Sequence, residues 1–174
     1  VSSRILSVAA LKDVLTAFKA PGVPSPEAMM ASVSRDMDEL RGMQNDDGGW
    51  GFWRRYEKSW PFLTVHVTHA LARAKNKGFE VKEDMLSEAT YYLETIEQRF
   101  EPEYPESVKR AIRAYALYVL DRLGKKNPAK ARAIVSEGGG LDKLGLETVG
   151  WLYPVFMGAQ GYEADLEAVR KLLG

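Results

Sequence analysis

The sequence predicts an all-α fold in which about eight helices form hairpins, arranged as part of an α/α toroid. Three observations support this prediction. Stretches with helical periodicity follow one another, and no convincing strand-like alternation separates them. Proline and glycine residues divide these stretches at fairly regular intervals. Finally, helices that are apolar on nearly every side alternate with helices that carry one narrow apolar stripe.

The helices are placed by their periodicity and by residues suited to helix ends. The expected ranges are 2–18, 25–44, 62–76, 81–100, 105–123, 127–138, 146–160 and 162–173. Pro21 and Gly22 follow the first helix, and Ser25 is suited to capping the second. Gly124 is suited to the left-handed conformation that ends many helices. We expect one domain over residues 1–174.

The odd-numbered helices are expected to lie inside and the even-numbered ones outside. The first, third and seventh are apolar around most of their circumference, and such a helix needs neighbours on every side. The second and eighth carry narrow stripes, formed by Met29, Val33, Met37 and Leu40 and by Leu166, Val169 and Leu173. A plain four-helix bundle would not need this alternation, which favours a toroid or a helical solenoid.

The composition excludes several classes of function. The 174 residues include 24 Lys and Arg against 24 Asp and Glu, so a general nucleic-acid binder is not expected. The absence of cysteine excludes disulfides, thiolate nucleophiles and Cys-ligated zinc from this sequence. No apolar run is long enough to span a bilayer, so direct membrane insertion is not expected.

A long aromatic loop, residues 45–61, follows the second helix, and the stretch from Gln44 to Trp53 is the most informative part of the sequence. Adjacent glycines allow unusual backbone shapes, Gln44 could bond exposed groups at the end of the second helix, and Trp50 could pack beneath it. The alternative is a ligand platform, with tryptophans that stack a sugar and an aspartate that acts as acid or base. Asp46 and Asp47 are adjacent in sequence, and adjacent carboxylates rarely lie on opposite sides of a bond that is to be cleaved. This favours the structural role of the loop. The residues of this structural or possible contact loop are Gln44, Asp46, Asp47, Gly48, Gly49, Trp50, Trp53 and Trp60.

No catalytic, cofactor-binding or metal-binding residue is predicted. His66 and His69 share a helix face and could begin a metal site or supply a base, but no third ligand stands at an obvious spacing. We expect them to be core or rim histidines. Asp36 and Asp38 are expected on a solvated face, and the three glycines at 138–140 lack the residues of a phosphate loop.

Several segments of the sequence resemble segments of known protein families. The Gln-x-x-x-Gly-x-Trp pattern at Gln44, Gly48 and Trp50 resembles the repeat that buttresses terpenoid-cyclase-type toroids. The wider stretches LRGMQNDDGGWGFW at 40–53 and SWPFLTVHVTHAL at 59–71 resemble the thioester domain of bacterial alpha-2-macroglobulins. The first residues, Ser2-Ser3-Arg4-Ile5-Leu6, resemble the segment directly after that family's Cys-x-Glu-Gln motif.

This resemblance implies a role in a protease trap of the bacterial periplasm or cell surface. In that family a protease cuts a bait region, and the exposed Cys–Gln thioester then captures a lysine of the attacker. The motif's Cys and Gln do not occur in this sequence, so the segment is expected to serve as scaffold and not as an enzyme. The implied partners are trapped proteases and other domains of the parent chain. An incomplete ring would leave apolar surface exposed, which predicts a possible homodimer of the isolated segment.

Two other interpretations of the sequence remain open. One is a toroid enzyme that acts on glycans or terpenoids, although no Asp-x-Asp-Asp string is present. The other is a helical-repeat binding module that uses the aromatic loop as its contact.

Overall fold

A computed structural model describes residues 1–18 and 25–174, and eight α-helices occur within those ranges. They are α1 Ser2–Phe18, α2 Pro26–Met43, α3 Pro61–Asn76, α4 Glu83–Glu94, α5 Glu106–Arg122, α6 Pro128–Glu137, α7 Leu146–Phe156 and α8 Glu163–Leu173. No strand occurs in the described ranges, so the prediction of an all-α fold is confirmed. None of the helices described is both long and apolar enough to cross a membrane.

Local sequence explains where several helices begin and end. The Ser25 hydroxyl accepts a hydrogen bond from the Ala28 N–H at 3.2 Å, and Pro26 is the first residue of α2. The Asn127 side chain caps α6 in the same way. Gly124, with φ 81°, follows the end of α5. Pro21 and Gly22, which were predicted to follow the first helix, lie outside the described residues.

Two predicted helices are too long. The fourth ends at Glu94, and a short 3-10 helix, Ile96–Arg99, takes the place of its last turn. The seventh ends at Phe156 and not near residue 160. Pro154 lies inside this last turn and has no N–H to continue the hydrogen-bond pattern, and Met157 has already left helical geometry with ψ 124°.

The chain forms two compact units, residues 1–92 and residues 93–174. In the first unit, α1 packs against α3, and α2 packs beside α1. Ile5 and Ala9 of α1 are fully buried, and α3 buries residues around most of its circumference. The inner residues predicted further along α1, Leu11, Val14, Leu15 and Phe18, have side chains outside the described part. The predicted stripe of α2 is buried, with Met29, Val33, Met37 and Leu40 all below 8% exposure.

In the second unit, α5 packs against α7, α6 packs beside them, and α8 packs against α7. Its core contains Ala114, Leu117, Ala131, Ile134, Val149, Leu152, Val155, Phe156 and Val169. The predicted stripe of α8 is only partly buried, because Leu173 at the end of the helix is exposed. The odd-numbered helices thus pack against each other within each unit, and the order of inner and outer helices stays a prediction. Ring closure and the single domain stay predictions.

The expected exposure of Asp36 is wrong. Asp38 is exposed, but Asp36 is only 2% accessible and receives a bidentate hydrogen bond from the guanidinium of Arg4. The distance from Arg4 Nε to Asp36 Oδ2 is 2.6 Å. Asp36 lies three residues after Val33 and four before Leu40, which places it on the buried stripe. A buried carboxylate requires such a partner, so the ion pair fixes the first turn of α1 to α2.

Replacing Leu152 by Ala should lower the free energy of unfolding by about 2–5 kcal/mol, because the side chain is fully buried in α7 and its loss leaves a cavity. The matched control is Leu146→Ala in the same helix, where the side chain is 67% exposed and a change within about 0.5 kcal/mol is expected. Urea unfolding followed by circular dichroism measures both. Equal losses in the two variants would contradict the packing described for the second unit.

Candidate functional site

The loop between α2 and α3 begins with a tight turn at residues 45–49. The Asn45 N–H bonds the Gly49 carbonyl at 2.9 Å, and the Gly48 N–H bonds the Asn45 carbonyl at 3.0 Å. Gly48 has φ 84°, and a Cβ there would lie 2.3 Å from the carbonyl oxygen of Glu88 in α4. A Cβ on Gly49 would lie 2.6 Å from Ser59 Cβ. The turn therefore lies directly against its neighbours, and only glycine fits at these positions.

Gln44 connects this turn to α4. Its side chain is buried, and Nε2 donates to the carbonyl of Gly48 and to the carbonyl of Met85, both at 3.0 Å. The sequence predicted a bond from Gln44 to the end of α2. The side chain instead binds its own turn and the first turn of α4, so it holds the loop against a different helix.

Trp50 makes the bond to α2. Its indole is 1% exposed, and Nε1 donates to the carbonyl of Leu40 in the last turn of α2 at 2.8 Å. Its backbone N–H donates to Thr64 Oγ1 of α3 at 3.1 Å. Its carbonyl accepts the N–H of Trp60 at 2.9 Å. One residue thus joins the end of α2, the start of α3 and the returning part of the loop.

Asn45 organises the rest of the loop, and sequence reasoning missed it. Its Oδ1 accepts the N–H of Tyr56 at 2.7 Å, and its Nδ2 donates to the Glu57 carbonyl at 2.7 Å and to Ser59 Oγ at 2.9 Å. Tyr56 is held at φ 70°, which is rare for a residue with a side chain. The signal in the sequence was an Asn at the start of a glycine turn, where its amide can replace backbone partners.

The two predicted carboxylates also serve the loop. Asp47 Oδ1 accepts the Gly49 N–H at 3.0 Å and the Ser59 hydroxyl at 2.7 Å. Asp46 is exposed and pairs with Arg55 at 2.7 Å, and this hydrogen bond raises the pKa of the Arg55 guanidinium. A polar depression of about 380 Å³ adjoins Asp46, and its arginines form ion pairs with Asp46 and Asp84. Asp46 and Asp47 therefore do not face each other across an aromatic groove, as the two carboxylates of a glycan-cleaving site would.

The remaining aromatic residues of the loop face outward. Trp53 is 84% exposed and Trp60 is 45% exposed, whereas Trp50 is interior. The rings of Phe52 and Trp60 meet edge to face with centroids 5.0 Å apart. The backbone beneath them is fixed, because the Trp53 N–H donates to the Glu57 carboxylate at 3.1 Å. The predicted loop residues therefore divide into an inner set that holds helices and an outer aromatic set.

The two histidines lie on α3, and His66 is near the start of α1. His66 is partly buried, and its Nε2 lies 3.4 Å from Ser3 Oγ. Its ring stacks on Phe62 with centroids 6.5 Å apart. Burial lowers the pKa of His66, and the positive charge of the Val1 amino group lowers it further. Over residues 1–18 and 25–174, no group of three or more His, Cys, Asp or Glu is placed to hold a metal ion.

Known proteins similar to this chain are bacterial alpha-2-macroglobulins. An alpha-2-macroglobulin of Rickettsia conorii is 31% identical over 93 residues, which is 53% of this chain and 5% of that protein. The structure of Salmonella alpha-2-macroglobulin reacted with methylamine matches 98% of this chain and 11% of its own, with 21% identity and a TM-score of 0.77. Trypsin-activated alpha-2-macroglobulin from Escherichia coli matches 85% of this chain and 11% of its own, with 24% identity and a TM-score of 0.67.

No protein-family model matches the chain. The solved structures show that the fold is shared, and the resemblance to bacterial alpha-2-macroglobulins predicted from the motifs is confirmed. The matched segment spans about a twentieth of the length of the curated relative.

Gly48→Ala should destabilise the chain by more than about 1 kcal/mol, because the new Cβ meets the Glu88 carbonyl and the left-handed conformation disfavours alanine. Gly42→Ala is the matched control, since a Cβ there has open space within α2 and should stabilise the helix by up to about 1 kcal/mol. Thermal unfolding of both variants measures the difference. A neutral Gly48→Ala would show that the turn does not lie against α4.

Trp50→Ala should cost about 3–5 kcal/mol, because it removes a buried indole and leaves the Leu40 carbonyl without its partner. Trp53→Ala, in the same loop, should change the free energy of unfolding by no more than about 0.5 kcal/mol. Chemical denaturation followed by far-ultraviolet circular dichroism compares the variants. Similar losses would mean that the outer aromatic residues also hold the fold.

Proposed function

We propose that this chain is part of the thioester domain of a bacterial alpha-2-macroglobulin, a broad-spectrum protease-trapping inhibitor. The observation that carries the proposal is the 31% identity to an alpha-2-macroglobulin over 93 residues. The shared fold over 98% of the chain supports it. The residues quoted for the resemblance, 40–53 and 59–71, are those that build the loop and α3.

In this proposal the chain is a scaffold and not an enzyme. The resemblance of residues 2–6 to the segment after the family's Cys-x-Glu-Gln motif implies that the reactive Cys and Gln stand before this segment in the parent protein. A thioester is an activated acyl group, and it must be kept from water until a target amine is present. The inner contacts of Gln44, Trp50 and Asp47 support a scaffold role, because each satisfies backbone or side-chain groups of the fold itself.

The partners and the location follow from the same proposal. The parent protein would trap proteases, and this segment would contact other domains of the parent chain. One Escherichia coli alpha-2-macroglobulin that shares this fold is in its trypsin-activated form, which supports a protease as the partner. The parent would act in the periplasm or at the cell surface. The homodimer of the isolated segment stays a prediction.

A glycan-processing enzyme is less well supported. Such an enzyme needs two carboxylates that face one another across the sugar. Asp46 is paired with Arg55, and Asp47 binds the Gly49 N–H and Ser59. Both aspartates thus bind other residues of the same loop, which supports a structural role for them.

The proposal is tested in two steps. Reading the codons before Val1 should reveal a Cys-x-Glu-Gln motif. The purified parent protein should then release one thiol per chain when treated with methylamine, and a protease added to the untreated protein should become covalently attached, which denaturing gels detect. A parent without the motif, or one that releases no thiol and captures no protease, would refute the proposal.

A further inference from the structure

The polar depression beside the glycine turn has the size of a small-molecule site. Its volume of about 380 Å³ falls within the range of about 300–1,000 Å³ that is typical of such sites. The residues that line it all belong to the first unit, and all have polar side chains. They are Arg41, Gln44, Asn45, Asp46, Arg55 and Glu88. The two amide side chains bind the fold itself, so the four charged residues form the surface that a ligand would meet.

The four charged side chains balance one another. Two are the guanidinium groups of Arg41 and Arg55, and two are the carboxylates of Asp46 and Glu88. Arg55 donates to Asp46 at 2.7 Å, and Arg41 donates to Asp84 of α4. Both ion pairs are exposed, so they add little stability and a ligand can compete with them at small cost. The depression therefore offers hydrogen-bond donors and acceptors side by side, without net charge among its lining residues.

Tyr56 lies at the rim of this depression. Its ring centroid is 5.0 Å from the guanidinium carbon of Arg55, and the residue is 78% exposed. Its backbone is held at φ 70°, with its N–H bound to Asn45 Oδ1. This conformation suits glycine or asparagine better than an aromatic residue, and an exposed ring adds little to the stability of the fold. Backbone strain without a gain for the fold indicates that the ring serves a contact outside it.

We propose that the depression binds a neutral oligosaccharide, with one sugar ring stacked on Tyr56. Each hydroxyl group both donates and accepts, so neighbouring hydroxyls match guanidinium and carboxylate groups that lie side by side. The apolar C–H face of a sugar ring suits the exposed aromatic ring. The proposal concerns binding without cleavage, and it does not depend on the proposed function.

The lining favours a saccharide over other ligands. An anion would meet the carboxylates of Asp46 and Glu88, and a cation would meet the guanidinium groups of Arg41 and Arg55. A peptide would need apolar subsites for its side chains, which a lining of polar residues does not provide. A neutral ligand with many hydroxyl groups meets neither obstacle.

Titration of the 174-residue chain with cellotriose, maltotriose and N-acetylchitotriose, followed by saturation-transfer NMR, tests the proposal. At least one trisaccharide should bind saturably with a Kd of about 1 mM or tighter. Tyr56→Asn should keep or raise the Tm, because asparagine tolerates the left-handed conformation, yet it should weaken binding about 10-fold by removing the ring. A ring with a merely structural role would not lower affinity while stability is kept.

Asp46→Ala should also weaken binding about 10-fold, because it removes an acceptor from the lining. Glu106→Ala is the matched control, since this carboxylate is 72% exposed in an ion pair with Lys109 and does not line the depression, and its affinity should equal that of the wild type. Failure of all three trisaccharides to bind would overturn the proposal. Binding of inorganic phosphate or of acetyl-trialanine amide in their place would also overturn it. Equal affinity in the wild type, Tyr56→Asn and Asp46→Ala would place the saccharide elsewhere and refute this site.

Discussion

The hydrogen bond from the Trp50 indole to the Leu40 carbonyl fixes where α2 ends and where α3 begins. The last carbonyls of a helix have no partner within the helix, and one that is buried without a partner costs about 1–3 kcal/mol. Trp50 supplies that partner from inside the protein, and its buried ring adds apolar contact at the same place. Because its own N–H binds Thr64 and its carbonyl binds Trp60, one residue connects the end of α2 to the start of α3.

The turn before Trp50 explains why the loop lies against α4. Gly48 allows the backbone to approach the Glu88 carbonyl, and Gln44 then bridges the turn and the Met85 carbonyl. Asn45 accepts the backbone N–H of Tyr56, which adopts a left-handed conformation, and Asp47 accepts the backbone N–H of Gly49. Gln44, Asn45 and Ser59 are buried, so the loss of a hydrogen-bond partner in this network leaves a buried polar group unpaired. The outward aromatic residues are therefore carried on a backbone whose shape does not depend on them.

Local signals in the sequence were sufficient for the starts of several helices but not for every helix end or for the loop. Ser25, Pro26 and Asn127 act through their immediate neighbours, so helix starts could be predicted from short segments. The ends of α4 and α7 were extended too far, because apolar periodicity continued past the point where the backbone leaves the helix. The packing of Trp50 beneath α2 was predicted and is confirmed, whereas the exposure of Trp53 was not predicted, since burial depends on α2 and α3 and not on adjacent residues. Asp36 was predictable in principle from its place on the Met29–Leu40 stripe, but its Arg4 partner lies 32 residues away.

The start of α1 is held by contacts with both α2 and α3. Ile5 is fully buried, Arg4 is paired with Asp36 of α2, and Ser3 lies beside His66 of α3. Three contacts within three consecutive residues restrict both the direction and the rotation of the first turn.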